Sequence, residues 1–143
     1  MTDHGPYIAA VATAVRAAEV PLVDTAATTE AGRRQARLRL DPQATVEAFG
    51  DAVHVELHWD EERGWRYVAH YEPHTGLANT PVYLGMGVLA TPTEVANWIA
   101  AVLINPGMIA SYGDDEIDPA RTAGSADAQF EAELAAYGTP TTI

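Results

Sequence analysis

Three residues near the middle of the chain have the chemistry of metal ligands. His54 and Glu56 are separated by one residue, so on a β-strand their side chains project from the same face. His70 belongs to a second alternating run and falls opposite His54 if the two runs pair. Opposed side chains in a sheet have Cβ atoms up to about 5.5 Å apart, which suits two imidazoles on one ion. The predicted metal ligands are therefore His54, His70 and Glu56, with Glu72 as an alternative carboxylate.

A solvated sheet face with no ligand explains the same residues more simply. His58 lies four residues from His54, roughly 13 Å along a strand at about 3.3 Å per residue, which is too far to share one ion. The pattern also differs from the helical HExxH motif, in which the two histidines meet on one helix face. The metal site is therefore a hypothesis that stands beside this simpler interpretation.

Positive charge is concentrated in one short segment of the chain. All eight basic residues are arginines, and Arg33, Arg34, Arg37 and Arg39 lie within seven positions of one another. The favoured interpretation is that these arginines pair with the chain's own carboxylates. The alternative is that they mark a docking surface for an acidic partner. The residues predicted to contact a partner are His58, Arg66, Arg37 and Arg39.

A β-hairpin is the element that positions the candidate ligands. Residues 53–59 and 65–71 alternate large apolar residues with polar ones, and a charged turn separates them. This alternation favours two antiparallel strands. Pairing Trp59 with Trp65 directs both apolar sets toward the core, whereas a slip of one residue would reverse every side chain. The opposite face then carries His54 opposite His70 and His58 opposite Arg66.

The flanking segments predict helices and further strands. A helix begins at Gly5-Pro6, because proline is favoured at the first helical position. A second helix follows the capping box of residues 91–94. Residues 24–32 are predicted to form a loop, residues 36–40 a short strand and residues 82–89 a fourth strand, while residues 43–51 have no clear pattern.

Together these elements predict an α+β fold. We expect an antiparallel sheet of about four strands with two main helices on one face, in the order α-β-β-β-β-α. Residues 1–107 are assigned to a single domain. Residues 108–143 are assigned to an acidic C-terminal tail, which carries the run Asp114–Asp118 and a short, loosely packed helix between about residues 126 and 137.

Composition excludes several functional classes. The chain has no cysteine, which excludes disulfides and thiolate metal sites, and no lysine, which excludes a Walker motif. A formal net charge of −12 repels a polyanion, so a nucleic-acid partner is not expected. No apolar run reaches the ~18–20 residues of a membrane span, and the N-terminus lacks the basic region of a signal peptide. We therefore expect a cytoplasmic protein with no membrane partner.

Three stretches carry a family resemblance. They read HGPYIAAVATAV at residues 4–15, HWDEERGWRY at residues 58–67 and VYLGMGVLATPTEVANWIAAVL at residues 82–103. The chain resembles, over roughly residues 4–106, an uncharacterised family of small acidic actinobacterial proteins known only as a domain of unknown function. The resemblance implies no activity and no catalytic residue.

These observations favour a non-enzymatic protein-binding or regulatory module with a protein partner or self-association. No catalytic residue and no cofactor are expected. The alternative is a metal-binding protein or metal-assisted enzyme that uses the sheet face of His54 and His70. A weaker alternative is an acidic mimic of nucleic acid.

Overall fold

The computed structural model describes residues 2–50, 52–75, 81–104, 121–123 and 127–138. The acidic run Asp114–Asp118 and the expected domain boundary at residue 107 lie outside these residues. Among the described helices, none is both long and apolar enough to cross a membrane. In chain order the elements are α1 (Gly5–Ala17), β1 (Leu22–Glu30), β2 (Arg33–Leu40), α2 (Pro42–Phe49), β3 (Ala52–Asp60), β4 (Gly64–Tyr71), a 3-10 turn (Pro73–Thr75), β5 (Val82–Tyr83), α3 (Pro92–Ile104) and α4 (Ala128–Ala136).

The sheet has five strands in the order β1-β2-β3-β4-β5, and each neighbouring pair is antiparallel. The predicted α+β class is confirmed, but the predicted strand count is one too low. The sequence predicts a loop at residues 24–32, whereas most of these residues belong to β1. A two-residue turn joins β1 to β2, with positive φ at Ala31 and Gly32 as a type I′ turn requires.

Two other segments differ from expectation. Residues 43–51 contain most of α2, which begins at Pro42 and is capped by Asp41, whose carboxylate accepts a hydrogen bond from the Gln43 backbone N–H at 3.0 Å. The run at residues 82–89 forms a strand only at Val82–Tyr83. The glycines at 85 and 87 adopt positive φ, a conformation that interrupts a regular strand.

The hairpin of β3 and β4 has the predicted register. Trp59 pairs with Trp65, and both indoles are 1% exposed in the core. Their N–H groups find acceptors, since Trp59 donates to the Val88 carbonyl at 2.8 Å and Trp65 donates to the Tyr7 hydroxyl at 3.0 Å. These hydrogen bonds remove the cost of burying two polar N–H groups. The inner face of the hairpin is thereby fixed against α1 and the segment before α3.

Helix α4 packs more tightly than the sequence suggests. Phe130 is 6% exposed and Leu134 is fully buried, and both belong to the main hydrophobic core. The Glu131 carboxylate accepts hydrogen bonds from both Nη atoms of Arg34 on β2. The expectation of a loosely packed helix is therefore wrong, because two apolar side chains and one ion pair attach α4 to the domain.

Candidate metal centre

The candidate ligands lie on the face of the sheet that points away from the main core. Along β3, Val55 and Leu57 are fully buried in the core, while the residues alternating with them project from the opposite face. We call this opposite surface the polar face. It carries His54, Glu56 and His58 from β3, Arg66 and His70 from β4, and Arg37 and Arg39 from β2.

Glu56 is the centre of the polar face. Its side chain is only 5% exposed, and its two oxygens have different partners. Oε1 faces the Nε2 atoms of three histidines, at 3.0 Å from His70, 3.1 Å from His58 and 3.9 Å from His54. Oε2 accepts a hydrogen bond from Arg39 Nε at 3.0 Å, and Arg39 Nη2 lies at the same distance. The arginine thus orients the carboxylate and leaves Oε1 among the imidazoles.

Three of these side chains form a group with the dimensions of a metal site. One ligand atom from each of His54, Glu56 and His70 lies within 4.8 Å of the other two. The two imidazole rings have centroids 4.4 Å apart, as expected for a directly opposed pair. Among the described residues this group could hold an ion, whereas Glu72 is exposed and lies outside it. The prediction that the group binds metal stays a prediction.

His70 contributes a further feature of this group. Its Nε2 atom is buried and makes no hydrogen bond, although it lies 3.0 Å from Glu56 Oε1. This contact lacks hydrogen-bond geometry, whereas two atoms that bind the same metal ion need no hydrogen bond between them.

The protonation states on the polar face suit metal ligands. Burial lowers the pKa of His54, and the neighbouring His70 lowers it further. Burial also lowers the pKa of His58, although the hydrogen bond to Glu56 acts in the opposite direction. Burial disfavours the charged form of Glu56, but hydrogen bonds from His58 and Arg39 outweigh it and hold its pKa below the ordinary value. These shifts favour the neutral imidazole of His54 and the carboxylate of Glu56, the forms that bind metals.

The residues predicted to contact a partner are engaged with the chain itself. Arg39 and His58 bind Glu56, and Arg37 lies 3.2 Å from Asp24. Arg66 lies 2.9 Å from Asp60. This agrees with the favoured interpretation, in which the arginines pair with the chain's own carboxylates. Contact of these residues with a protein partner stays a prediction.

The role of Arg39 is not visible in the sequence alone. It opposes Glu56 directly in the pairing of β2 with β3. The alternation along β2 identifies a strand, but it does not specify the register of that strand against β3. Only this register shows that Arg39 lies beside Glu56. A second missed feature is the carboxylate of Glu61, which lies in the charged turn between the two strands of the hairpin and is fully buried.

Comparison with known proteins identifies a family. A family model described as "Family of unknown function (DUF6292)" matches residues 7–101, more than half of the 143-residue chain. The expected resemblance to a family of unknown function is thereby confirmed. No curated protein and no solved structure matches the chain. The chain belongs to the family of unknown function DUF6292.

Proposed function

We propose that the protein binds a divalent transition-metal ion through His54, His70 and Glu56. The observation that supports this most strongly is the approach of their three ligand atoms to within 4.8 Å of one another. The ligands come from adjacent paired strands, whose ladder of hydrogen bonds fixes their spacing. Three protein ligands leave a coordination position for water or a substrate, as in catalytic zinc sites, whereas structural zinc sites use four.

The ligand set and its surroundings favour particular metals. Imidazole suits Zn²⁺, Cu²⁺ and Ni²⁺, whereas Mg²⁺ and Ca²⁺ prefer six or more oxygen ligands. The Arg39 and Arg37 guanidinium groups lie 3.0 Å and 3.6 Å from Glu56 Oε2, and their charges oppose any cation. Binding must therefore gain from the metal–nitrogen bonds rather than from charge alone. We expect Zn²⁺ to bind and Mg²⁺ and Ca²⁺ to be rejected.

Arg39 acts in this proposal as the residue that positions a ligand. It holds Oε2 of Glu56, so that Oε1 stays directed at the histidines. Partners of this kind around a metal ligand fix its orientation and commonly change affinity by about 10–100-fold. Because Arg39 binds Oε2 and the ion would bind Oε1, both can use the carboxylate of Glu56.

Isothermal titration calorimetry of the full chain tests the proposal. We expect saturable binding of one Zn²⁺ per chain at pH 7 and no saturable binding of Mg²⁺ or Ca²⁺ in the same concentration range. The matched control is His74→Ala, because His74 is exposed and lies outside the group. Absence of stoichiometric Zn²⁺ binding, or its loss in the His74→Ala variant, would contradict the proposal.

A further inference from the structure

We propose that two copies of the protein dimerise by pairing their β1 strands, antiparallel and about a two-fold axis at Ala26. Strand β1 is nine residues long and lies at one end of the sheet. Within the residues that the structure describes, β1 pairs with β2 alone, so its other edge is open. Natural edge strands are usually protected by charged side chains, especially lysine, by proline or by bulges. β1 has charged residues only near its two ends, Asp24 and Glu30, it has no proline, and its one irregularity lies near its start, between Leu22 and Asp24.

Most of β1 is also exposed within the described part of the chain, although Leu22 packs against the core. Seven of its nine residues are exposed, and Val23 is 54% exposed. Thr25 and Ala27 are exposed although they lie opposite Leu38 and Ala36, which are buried in the core. β1 therefore extends beyond the cover of the helices. An additional strand at this edge would extend the sheet.

The backbone groups that point outward can be identified. The Arg34 N–H donates to the Glu61 carboxylate at 2.6 Å, and the Arg34 carbonyl accepts from the Glu61 N–H at 3.1 Å. Both groups of Arg34 therefore point away from β1. Arg34 lies opposite Thr29, so the backbone groups of Thr29 point toward the open edge. The direction of the backbone N–H and C=O groups alternates along an antiparallel strand. The backbone groups of Ala27 and Thr25 therefore also point toward the open edge.

These outward groups restrict the register between two copies. Hydrogen bonds form when Thr25 of one copy opposes Ala27 of the other, which places Ala26 opposite Ala26. This register uses the whole of β1 and sets Asp24 opposite Thr28 and Glu30 opposite Leu22. A shift that places Ala27 opposite itself would instead set Asp24 against Glu30, and like charges directly opposed are destabilising. The register centred on Ala26 avoids this repulsion.

The surroundings of the edge suit a second copy. The chain has a net charge of −12, which opposes self-association in general. At this edge, however, Asp24 lies 3.2 Å from Arg37, which offsets its charge. A cavity of about 330 Å³ is lined by residues of β1, among them Ala27 and Thr29, and by residues of the N-terminal segment, among them Thr2 and Asp3. It offers room for the small side chains of an added strand.

Single cysteines test both the contact and its register. In the proposed register Ala26 occupies a non-hydrogen-bonded pair with Cα atoms about 4.5 Å apart, within the range that a disulfide bridges. The chain has no cysteine, so any crosslink is unambiguous. Under mild oxidation we expect Ala26→Cys to form a covalent dimer and Val46→Cys, on exposed α2, to stay monomeric. No crosslink at residue 26, or equal crosslinking at residues 26 and 46, would overturn the proposal.

A proline variant provides an independent readout. Ala27→Pro removes an N–H that points outward and leaves the pairing with β2 intact, as proline on an edge strand allows. In sedimentation equilibrium we expect a dimer for the wild-type chain and at least a tenfold weaker dimer for this variant, with an unchanged circular dichroism spectrum. A wild-type chain that is monomeric at hundreds of micromolar, or a folded Ala27→Pro variant that dimerises as tightly, would overturn the proposal. The proposal would also be overturned if the chain bound an unrelated extended peptide but did not form a dimer.

Discussion

Replacing Glu61 with alanine is expected to lower the free energy of unfolding by about 3–5 kcal/mol, the cost of breaking a buried ion pair. The Glu61 side chain is fully buried between two arginines, 2.9 Å from Arg34 and 2.6 Å from Arg121. It also accepts the Arg34 backbone N–H at 2.6 Å. Its removal leaves Arg121, which is 8% exposed, with only a 3.6 Å contact to Asp127 among the ion pairs of the described residues.

Urea denaturation followed by tryptophan fluorescence measures this loss. Arg33→Ala is the matched control, because Arg33 pairs with Glu62 at the same turn but is 41% exposed. Exposed ion pairs contribute less than about 1 kcal/mol, so we expect a correspondingly small change. If the two variants lose similar stability, the assignment of the large effect to burial is wrong.

The same ion network predicts how stability depends on pH. Hydrogen bonds from Arg34 and Arg121 outweigh the effect of burial and lower the pKa of Glu61 to about 2. The hydrogen bond from Arg34 likewise lowers the pKa of Glu131 to about 2. A carboxylate whose pKa is lowered by folding stabilises the protein above its ordinary pKa near 4.5, and that contribution is lost as the pH falls toward 2. The decline below pH 4.5 should be shallower in Glu61→Ala than in the wild type.

The second large effect is expected at His70. The His70→Ala variant should bind Zn²⁺ more than about 100-fold more weakly, because even partners outside the ligand set change affinity by 10–100-fold. His58→Ala should weaken binding less, by about 10–100-fold, since His58 binds Glu56 Oε1 but lies outside the group of three. Competition of each variant against a chromophoric zinc chelator gives the affinities.

Comparing the zinc affinities of His70→Ala and His58→Ala shows whether the ion binds His70 or His58. Both lie about 3 Å from the same carboxylate oxygen, at 3.0 Å for His70 and 3.1 Å for His58. A general effect on Glu56 would therefore weaken binding equally in both variants. Equal losses, or unchanged affinity in His70→Ala, would contradict the proposed ligand set.

The central hairpin could be predicted because its alternation is carried by large residues. Trp59 and Trp65 fix the inner face, and once they pair, His54 must oppose His70. β1 has no comparable signal, since its side chains are small and both faces are exposed. Hydrophobic periodicity marks a strand only where one face is buried, so a strand that projects from the core resembles a loop in sequence.

The surroundings of Glu56 and Glu61 depend on contacts between distant segments. Glu61 lies beside Glu62 in a charged turn, but only Glu61 is completely buried, because Arg34 and Arg121 converge on it from far along the chain. A charged turn in a sequence does not reveal which carboxylate points inward. Arg39 on Glu56 is a simpler case, since its position follows once the register of β2 against β3 is known.

The most direct measurement of the proposed metal centre is a long-range ¹H–¹⁵N NMR spectrum of the five histidine side chains with and without Zn²⁺. The proposal predicts that one equivalent of Zn²⁺ shifts the Nε2 resonances of His54 and His70 to values typical of a metal-bound imidazole. The resonances of His4 and His74, which lie outside the group, should stay unchanged. Unchanged Nε2 resonances of His54 and His70 in the presence of saturating Zn²⁺ would contradict it.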